Sequence, residues 1–293
     1  MIRACCPAKI NLSININGKR DDGYHLIHSV MQAVSIYETV EIEREEQSGI
    51  RLEIKGADIP ADKSNTAYRA ADCFFKQTHI KECGLSISLT KMVPIGAGLG
   101  GGSADAAAVL VALNRLLKAD LSLEELCDIG KMVGADVPFC IVGGTAVCTG
   151  TGTEISALPP MPDCFVVIAK PESSISTAEA YRLIDDANNL RRSDVIMEEA
   201  IYSGDIGLIA KNLTNDFEMV TALPDIDEIK GVMKRNSTLG CQMSGSGSAV
   251  FGLFDKAAFA QLCADQLRHR YDDVFICRPD KNGARIMDDI TID

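Results

Sequence analysis

The sequence predicts a two-domain α+β protein on three observations. Short apolar runs with strand patterning mix with helical stretches, but no regular strand–helix alternation runs the length of the chain. A glycine-rich segment at 94–104 separates a strand pattern from a helix pattern. A glycine-rich run at 143–152, followed by Pro159, Pro160 and Pro162, breaks the 293-residue chain near its middle. The length suggests about two domains of roughly 150 residues. The expected division is 1–155 and 156–293.

Taken in order, Leu12, Ile14 and Ile16 alternate with polar residues, so Lys9 and Asn11 fall at the start of a strand, on one face. Alone, Lys9 reads as a solvated surface lysine. Asp22-Gly23 suits a turn and is followed by Tyr24 and His25. Strands are expected over 34–44, 50–54 and 85–92, and an alanine-bearing helix over 65–76. A helix over 103–119 has Val109, Leu110, Leu113, Leu116 and Leu117 on one face. The next helix opens with a capping box, Ser122 with Glu125, and stops at Gly134. Asp136 is expected on a loop just past that stop, braced by Pro138. In the second half, 164–169 reads as a buried strand, and helices follow around 177–187 and 194–202. A strand at 249–254 is entered through Met243-Ser244-Gly245-Ser246-Gly247-Ser248, then come a helix over 257–270 and a strand over 273–279.

The sharpest feature is Pro94-Ile95-Gly96-Ala97-Gly98-Leu99-Gly100-Gly101-Gly102-Ser103-Ala104. Glycines allow backbone N–H groups to approach an oxyanion closely, and a helix start adds partial positive charge. Ser103 is a candidate for capping that helix or for touching a phosphate or its magnesium. A Walker A loop is excluded, because Gly102 stands where its lysine belongs. The dinucleotide pattern G-x-G-x-x-G is met formally by Gly96, Gly98 and Gly101. Its acidic partner should end a second strand, yet Asp120 directly follows a helix and precedes another.

Composition narrows the classes. Lys and Arg total 29 against 41 Asp and Glu, a net charge of −12, which argues against nucleic-acid or anionic-membrane partners. No run of about 18 uncharged apolar residues suggests a membrane span. The first residues lack a secretory pattern. The 11 cysteines are odd in number, and no two are spaced C-x-x-C. Reduced thiols in a cytoplasm fit better than a disulfide framework or a zinc ribbon.

Pro-Ala-Lys-Ile-Asn-Leu at 7–12, Asp-Gly-Tyr-His at 22–25, the glycine loop, Gly-Ala-Asp-Val-Pro-Phe at 134–139 and Met-Ser-Gly-Ser-Gly at 243–247 occur in this order. Together they resemble the GHMP kinase superfamily, over residues 7 to 254. The resemblance implies an N-terminal domain like ribosomal protein S5 domain 2 and a ferredoxin-like C-terminal domain, with the ligands in the cleft between. It implies that the γ-phosphoryl of ATP passes to the 2-hydroxyl of a methylerythritol unit carried on cytidine diphosphate, in the non-mevalonate isoprenoid pathway. Residues 94–104 hold the phosphates in that reading, with Mg²⁺ near Ser103, and Asn65 lies beside the adenine. Lys9 and Asp136 form the catalytic pair. Asn11 contacts the erythritol hydroxyls, Tyr24 and His25 the cytosine, Tyr181 stacks on the base, and Thr177 contributes from the same segment. Gly245-Ser246-Gly247 closes the site. The partner is a small molecule, and no protein partner is implied. Two departures from the family pattern are Cys6 before Pro7 and Ala104 after Ser103, where serines are common. Three other readings stay open: a kinase of the superfamily acting on a substrate without a base, a nucleotide-dependent dehydrogenase, and a non-catalytic ATP-binding regulator.

Overall fold

The computed structural model describes residues 1–187 and 196–287. Strand β1 (Ile2–Lys19) and strand β2 (His25–Glu45) form a long antiparallel hairpin. Every residue from Ala4 to Ile16 in β1 is buried, so polar–apolar alternation cannot reveal its first half. The expected strand at 34–44 is therefore the distal part of β2, and β1 begins well before Lys9. A register shift lies between Pro7 and Ala8. Ala4 and Cys6 pack into one core cluster, whereas Ala8, Ile10 and Leu12 pack into another on the opposite side. The irregularity thus reverses the side-chain alternation and turns Lys9 and Asn11 toward the glycine loop.

Strand β3 (Ile50–Lys55) pairs in parallel with strand β4 (Gly84–Thr90), and helix α1 (Thr66–Thr78) makes the crossover. Helix α2 (Gly101–Leu117) packs on β1 and β2. Its buried face begins with Ala104, Ala106, Ala107 and Ala108, small residues that let the helix lie close to the sheet. The helix starts two residues earlier than expected. Gly100, not Ser103, is its N-cap, and no side chain caps it. Helix α3 (Leu123–Val133) has the expected capping box. A short helix, α4 (Val137–Val142), follows at once, so Asp136 is an N-cap rather than a loop residue. Pro138 sits in its first turn, where a missing N–H costs nothing. Strands β5 (Thr145–Thr149) and β6 (Glu154–Ala157) extend the sheet from β2. The 155/156 division falls inside β6.

The second half opens with strand β7 (Phe165–Lys170) and helix α5 (Thr177–Asp186). Next come helix α6 (Ile196–Ser203), helix α7 (Ile206–Lys211), strand β8 (Thr214–Asn215), helix α8 (Asp216–Val220) and helix α9 (Pro224–Arg235). The expected start of α6 at 194 lies outside the described residues. Strand β9 (Gly240–Met243), strand β10 (Val250–Phe254), helix α10 (Ala257–Arg268), strand β11 (Asp273–Cys277) and strand β12 (Arg285–Ile286) follow among the described residues. The order β11-β7-β10-β9 is fully antiparallel, with helices after its first and third strands in sequence. This is the ferredoxin-like arrangement. Strands β8 and β12 instead join β1, so the second half contributes to both sheets. The α+β class expected from the sequence is the class observed. Among the described residues no helix is long and apolar enough to cross a membrane.

Candidate active site

A cleft of about 950 Å³ runs between the glycine loop, the β1–β2 hairpin and α5. One wall is the loop. Gly96, Gly98 and Gly100 all have positive φ. At Gly98, with φ of +74°, a Cβ would lie 2.0 Å from the Ser244 carbonyl oxygen, so glycine is required both by conformation and by the approach of another backbone. Ser244 fastens this junction. Its hydroxyl donates to the Gly98 carbonyl at 2.9 Å and accepts from the Asn11 amide at 3.3 Å. The loop after β9 is thus stitched to both the glycine loop and β1.

Lys9 is not the solvated lysine its isolated sequence context suggests. Its side chain is 5% exposed, and the backbone N–H donates to the Leu99 carbonyl at 3.0 Å. The Lys9 ammonium lies 3.4 Å from an Asp136 carboxylate oxygen and donates to Asn11 Oδ1 at 2.6 Å. Asn11 Nδ2 donates to Ser29 Oγ at 2.8 Å, which fixes the amide orientation and thereby the direction of the ammonium. Asp136 keeps 31% of its side chain exposed, so the pair opens on the cleft. Asp136 lies between the C-terminus of α3 and the N-terminus of α4, so the favourable field of the second helix start opposes that of the first helix end. Cys148 lies close enough for the Asp136 charge to act on it, and burial first, then that charge, raise its thiol pKa. It stays a neutral thiol.

At the other end of the cleft, His25 stacks on Tyr181 with ring centroids 4.4 Å apart. Phe217 meets Tyr181 edge-on at 4.9 Å. Burial, and next the charge of Asp136, push the Tyr181 phenol up to about 12. Tyr24 stands at the hairpin tip and is 66% exposed. Thr177 Oγ1 lies 3.0 Å from Ser246 Oγ, linking α5 to the Gly245–Gly247 turn. These residues and positions 94–103 of the expected phosphate loop share one cleft, whereas Ala104 is fully buried and does not line it. Asn65 does not line it. As N-cap of α1 it accepts from the Ala67 amide at 2.9 Å and donates to the Pro60 carbonyl at 2.8 Å. Its neighbour Thr66 is the lining residue and donates to the Gly102 carbonyl at 2.7 Å.

Several residues escaped sequence reading. Asp185 accepts from His25 Nε2 at 2.7 Å and from Lys19 at 2.6 Å. Its place one turn after Tyr181 on a helix was the available signal. Glu38, Lys91 and Asp105 form a buried ionic cluster behind the loop. Burial raises both carboxyls, that of Asp105 to about 7. Polar residues so far apart in sequence gave no sign of meeting.

The sequence profile of the GHMP kinase N-terminal domain matches residues 65–144, and that of the C-terminal domain matches 197–273. A 4-diphosphocytidyl-2-C-methyl-D-erythritol kinase of Clostridium beijerinckii is 43% identical, over 92% of this chain and 97% of its own. One of Caldicellulosiruptor saccharolyticus is 44% identical, over 89% and 91%. The crystal structure of a 4-(cytidine 5'-diphospho)-2C-methyl-D-erythritol kinase superposes with a TM-score of 0.78 at 32% identity, covering 94% of this chain and 98% of that one. A homoserine kinase from Cytophaga hutchinsonii has the same fold, with a TM-score of 0.78 at 22% identity, covering 98% and 97%.

Proposed function

The chain belongs to the GHMP kinase family, and from that membership we propose that it transfers the γ-phosphoryl of ATP to the 2-hydroxyl of 4-diphosphocytidyl-2-C-methyl-D-erythritol. The observation that carries the reading is a single cleft. It joins a glycine loop, a buried Lys–Asp pair and, at the far end, an aromatic and imidazole cluster suited to a base.

Phosphoryl transfer of this kind depends on positioning and charge stabilisation. Residues 94–104 offer backbone N–H groups and the α2 N-terminus to the phosphates, and no acidic residue stands in the first turn of that helix. Asp136 accepts the proton of the attacking hydroxyl. Lys9, aimed by Asn11, steadies the charge that develops beside that carboxylate. Asn11 also faces the erythritol hydroxyls. Tyr24 stacks on one face of the cytosine, and Tyr181 stacks on the other. His25 reads the base edge, and Thr177 borders the same subsite. Asn65 shapes the adenine end through α1.

Among the described residues no group of three or more His, Cys, Asp and Glu forms a metal cage. Mg²⁺ carried by nucleotide phosphates needs few protein oxygens, so the residues present fit it. The Ser103 hydroxyl, in the first turn of α2 and lining the cleft, is the group that would hold it. The ion supplies charge neutralisation on the β- and γ-phosphates. Residues 1–155 carry the phosphate loop and the Lys–Asp pair, while 156–293 close the cleft with α5 and the Gly245–Gly247 turn. All eleven cysteines are free, which supports a reducing cytoplasm as the working compartment.

The test is ATP consumption with the cytidyl substrate, mevalonate, homoserine and galactose. Turnover of the cytidyl compound alone is expected. Turnover of a substrate without a base, in its place, overturns the substrate assignment.

A further inference from the structure

Behind the glycine loop, the Lys91 ammonium donates to Glu38 Oε1 and to Asp105 Oδ2, each at 2.5 Å. The three side chains are at most 4% exposed. Their positions along the chain matter more than their charge. Lys91 directly follows β4 and stands three residues before Pro94. Asp105 lies in the second turn of α2, just beyond the loop's last residue, Ala104. Glu38 belongs to β2 and receives the Met92 amide at 2.9 Å through its other oxygen. A Cβ on Gly101 would approach Glu38 Oε1 to 3.1 Å. Both ends of the loop are therefore tied to one ionic knot, and the knot rests on the central sheet.

Buried ion pairs give little net stability, and apolar replacements of similar volume are often neutral or better. A gain in stability is thus a poor account of three such residues, whereas fixed geometry is a good one. A loop that binds phosphate through backbone N–H groups has no long side chains to adjust, so its amides must already point inward.

We propose that Asp105, acting through Lys91 and Glu38, is a positioning residue that holds the two ends of the glycine loop at the spacing phosphate binding requires. This inference rests on residues 94–104 being the ATP phosphate loop. Lys91 and Asp105 also border the cleft, and the proposal assigns them a positioning role with no bond to nucleotide.

Asp105→Ala unties the helix end and leaves Lys91 and Glu38 as a balanced pair, so the fold is retained. Asp105→Asn keeps an oxygen in place to accept from Lys91. Calorimetric Kd values for ATP and for adenosine, which has no phosphate, are measured on both variants and the parent protein. The expected result is an ATP Kd raised about tenfold in Asp105→Ala with adenosine unchanged within about twofold, and recovery of ATP affinity in Asp105→Asn. Unchanged ATP affinity, equal loss for both ligands, or an Asp105→Asn as weak as Asp105→Ala overturns the proposal. Should Asp105→Ala fail to fold, the uncharged variant Glu38→Gln/Lys91→Met/Asp105→Asn replaces it, with the same expected and contrary readings for the two ligands. A parent protein that binds ATP no better than adenosine overturns the phosphate-loop reading itself, and the proposal with it.

Discussion

Replacing Gly98 with alanine separates two costs that glycine loops usually combine. Gly96 and Gly98 have nearly the same backbone, with φ of +65° and +74°. An L-residue in that region costs about 1–2 kcal/mol. At Gly96 a Cβ meets nothing within 4 Å, so Gly96→Ala should cost only that amount. At Gly98 the Cβ would lie 2.0 Å from the Ser244 carbonyl oxygen and 3.2 Å from the Gly247 nitrogen, both backbone atoms. The loop after β9 must then retreat by roughly 1 Å or more, an overpacking cost of about 1–3 kcal/mol. The expected destabilisation is about 1–2 kcal/mol for Gly96→Ala and about 2–5 kcal/mol for Gly98→Ala. Urea unfolding without nucleotide measures both. Equal losses would mean that Gly98 is needed only for its φ angle, and that the seam between the two loops does not constrain it.

The other predictions concern chemistry and anchoring. Asp136→Asn should lower kcat by about 10²–10⁴ with substrates still bound, and Lys9→Ala by a similar factor. The double variant should lose far less than the product, and strictly multiplicative losses would show that the two act independently. Tyr24→Ala should weaken the cytidyl substrate by about 1–3 kcal/mol in KM and leave thermal stability unchanged, since Tyr24 is an exposed tip residue. A rise in KM for ATP instead would assign Tyr24 to the nucleotide end. Ser244→Ala removes the hydroxyl that serves both the Gly98 carbonyl and the Asn11 backbone amide, at a cost of about 1–3 kcal/mol in unfolding. A loss near zero would show that the seam is held by packing alone.

Local chemistry was legible in the sequence where local rules govern it. The capping box at Ser122, the glycine loop between β4 and α2, and the apolar strands β7 and β10 are each written within a few neighbouring residues. The proline cluster at 159–162 follows β6, which reaches to Ala157, so a division drawn at 155/156 cuts that strand. The burial of Lys9 was hidden because β1 is enclosed on both faces, and one bulge reverses its alternation at Pro7. The α4 turn was read as a loop because six residues give too short a period to register. The pairing of Lys9 with Asp136 was reachable only through family resemblance. The grip of Asp185 on His25 joins residues 160 positions apart, and its only local trace is the place of Asp185 one turn after Tyr181.

The joining of β12 and β8 to β1 bears on how the protein is made. Ala4 pairs with Ile286, and Ser13 with Thr214. The strand that carries Lys9 is made long before its outer-edge partners, and the Ala4–Cys5 stretch of that edge waits for residues 285–286. At about 5–20 residues per second, that interval is on the order of ten seconds or more. Throughout it that buried stretch presents unpaired N–H and C=O groups, the kind of surface on which edge-to-edge aggregation starts. Loop closure across most of the chain also makes the final docking slow. Truncation shortly before β12 should therefore lower the soluble yield of newly made chains more than the loss of a two-residue strand would suggest.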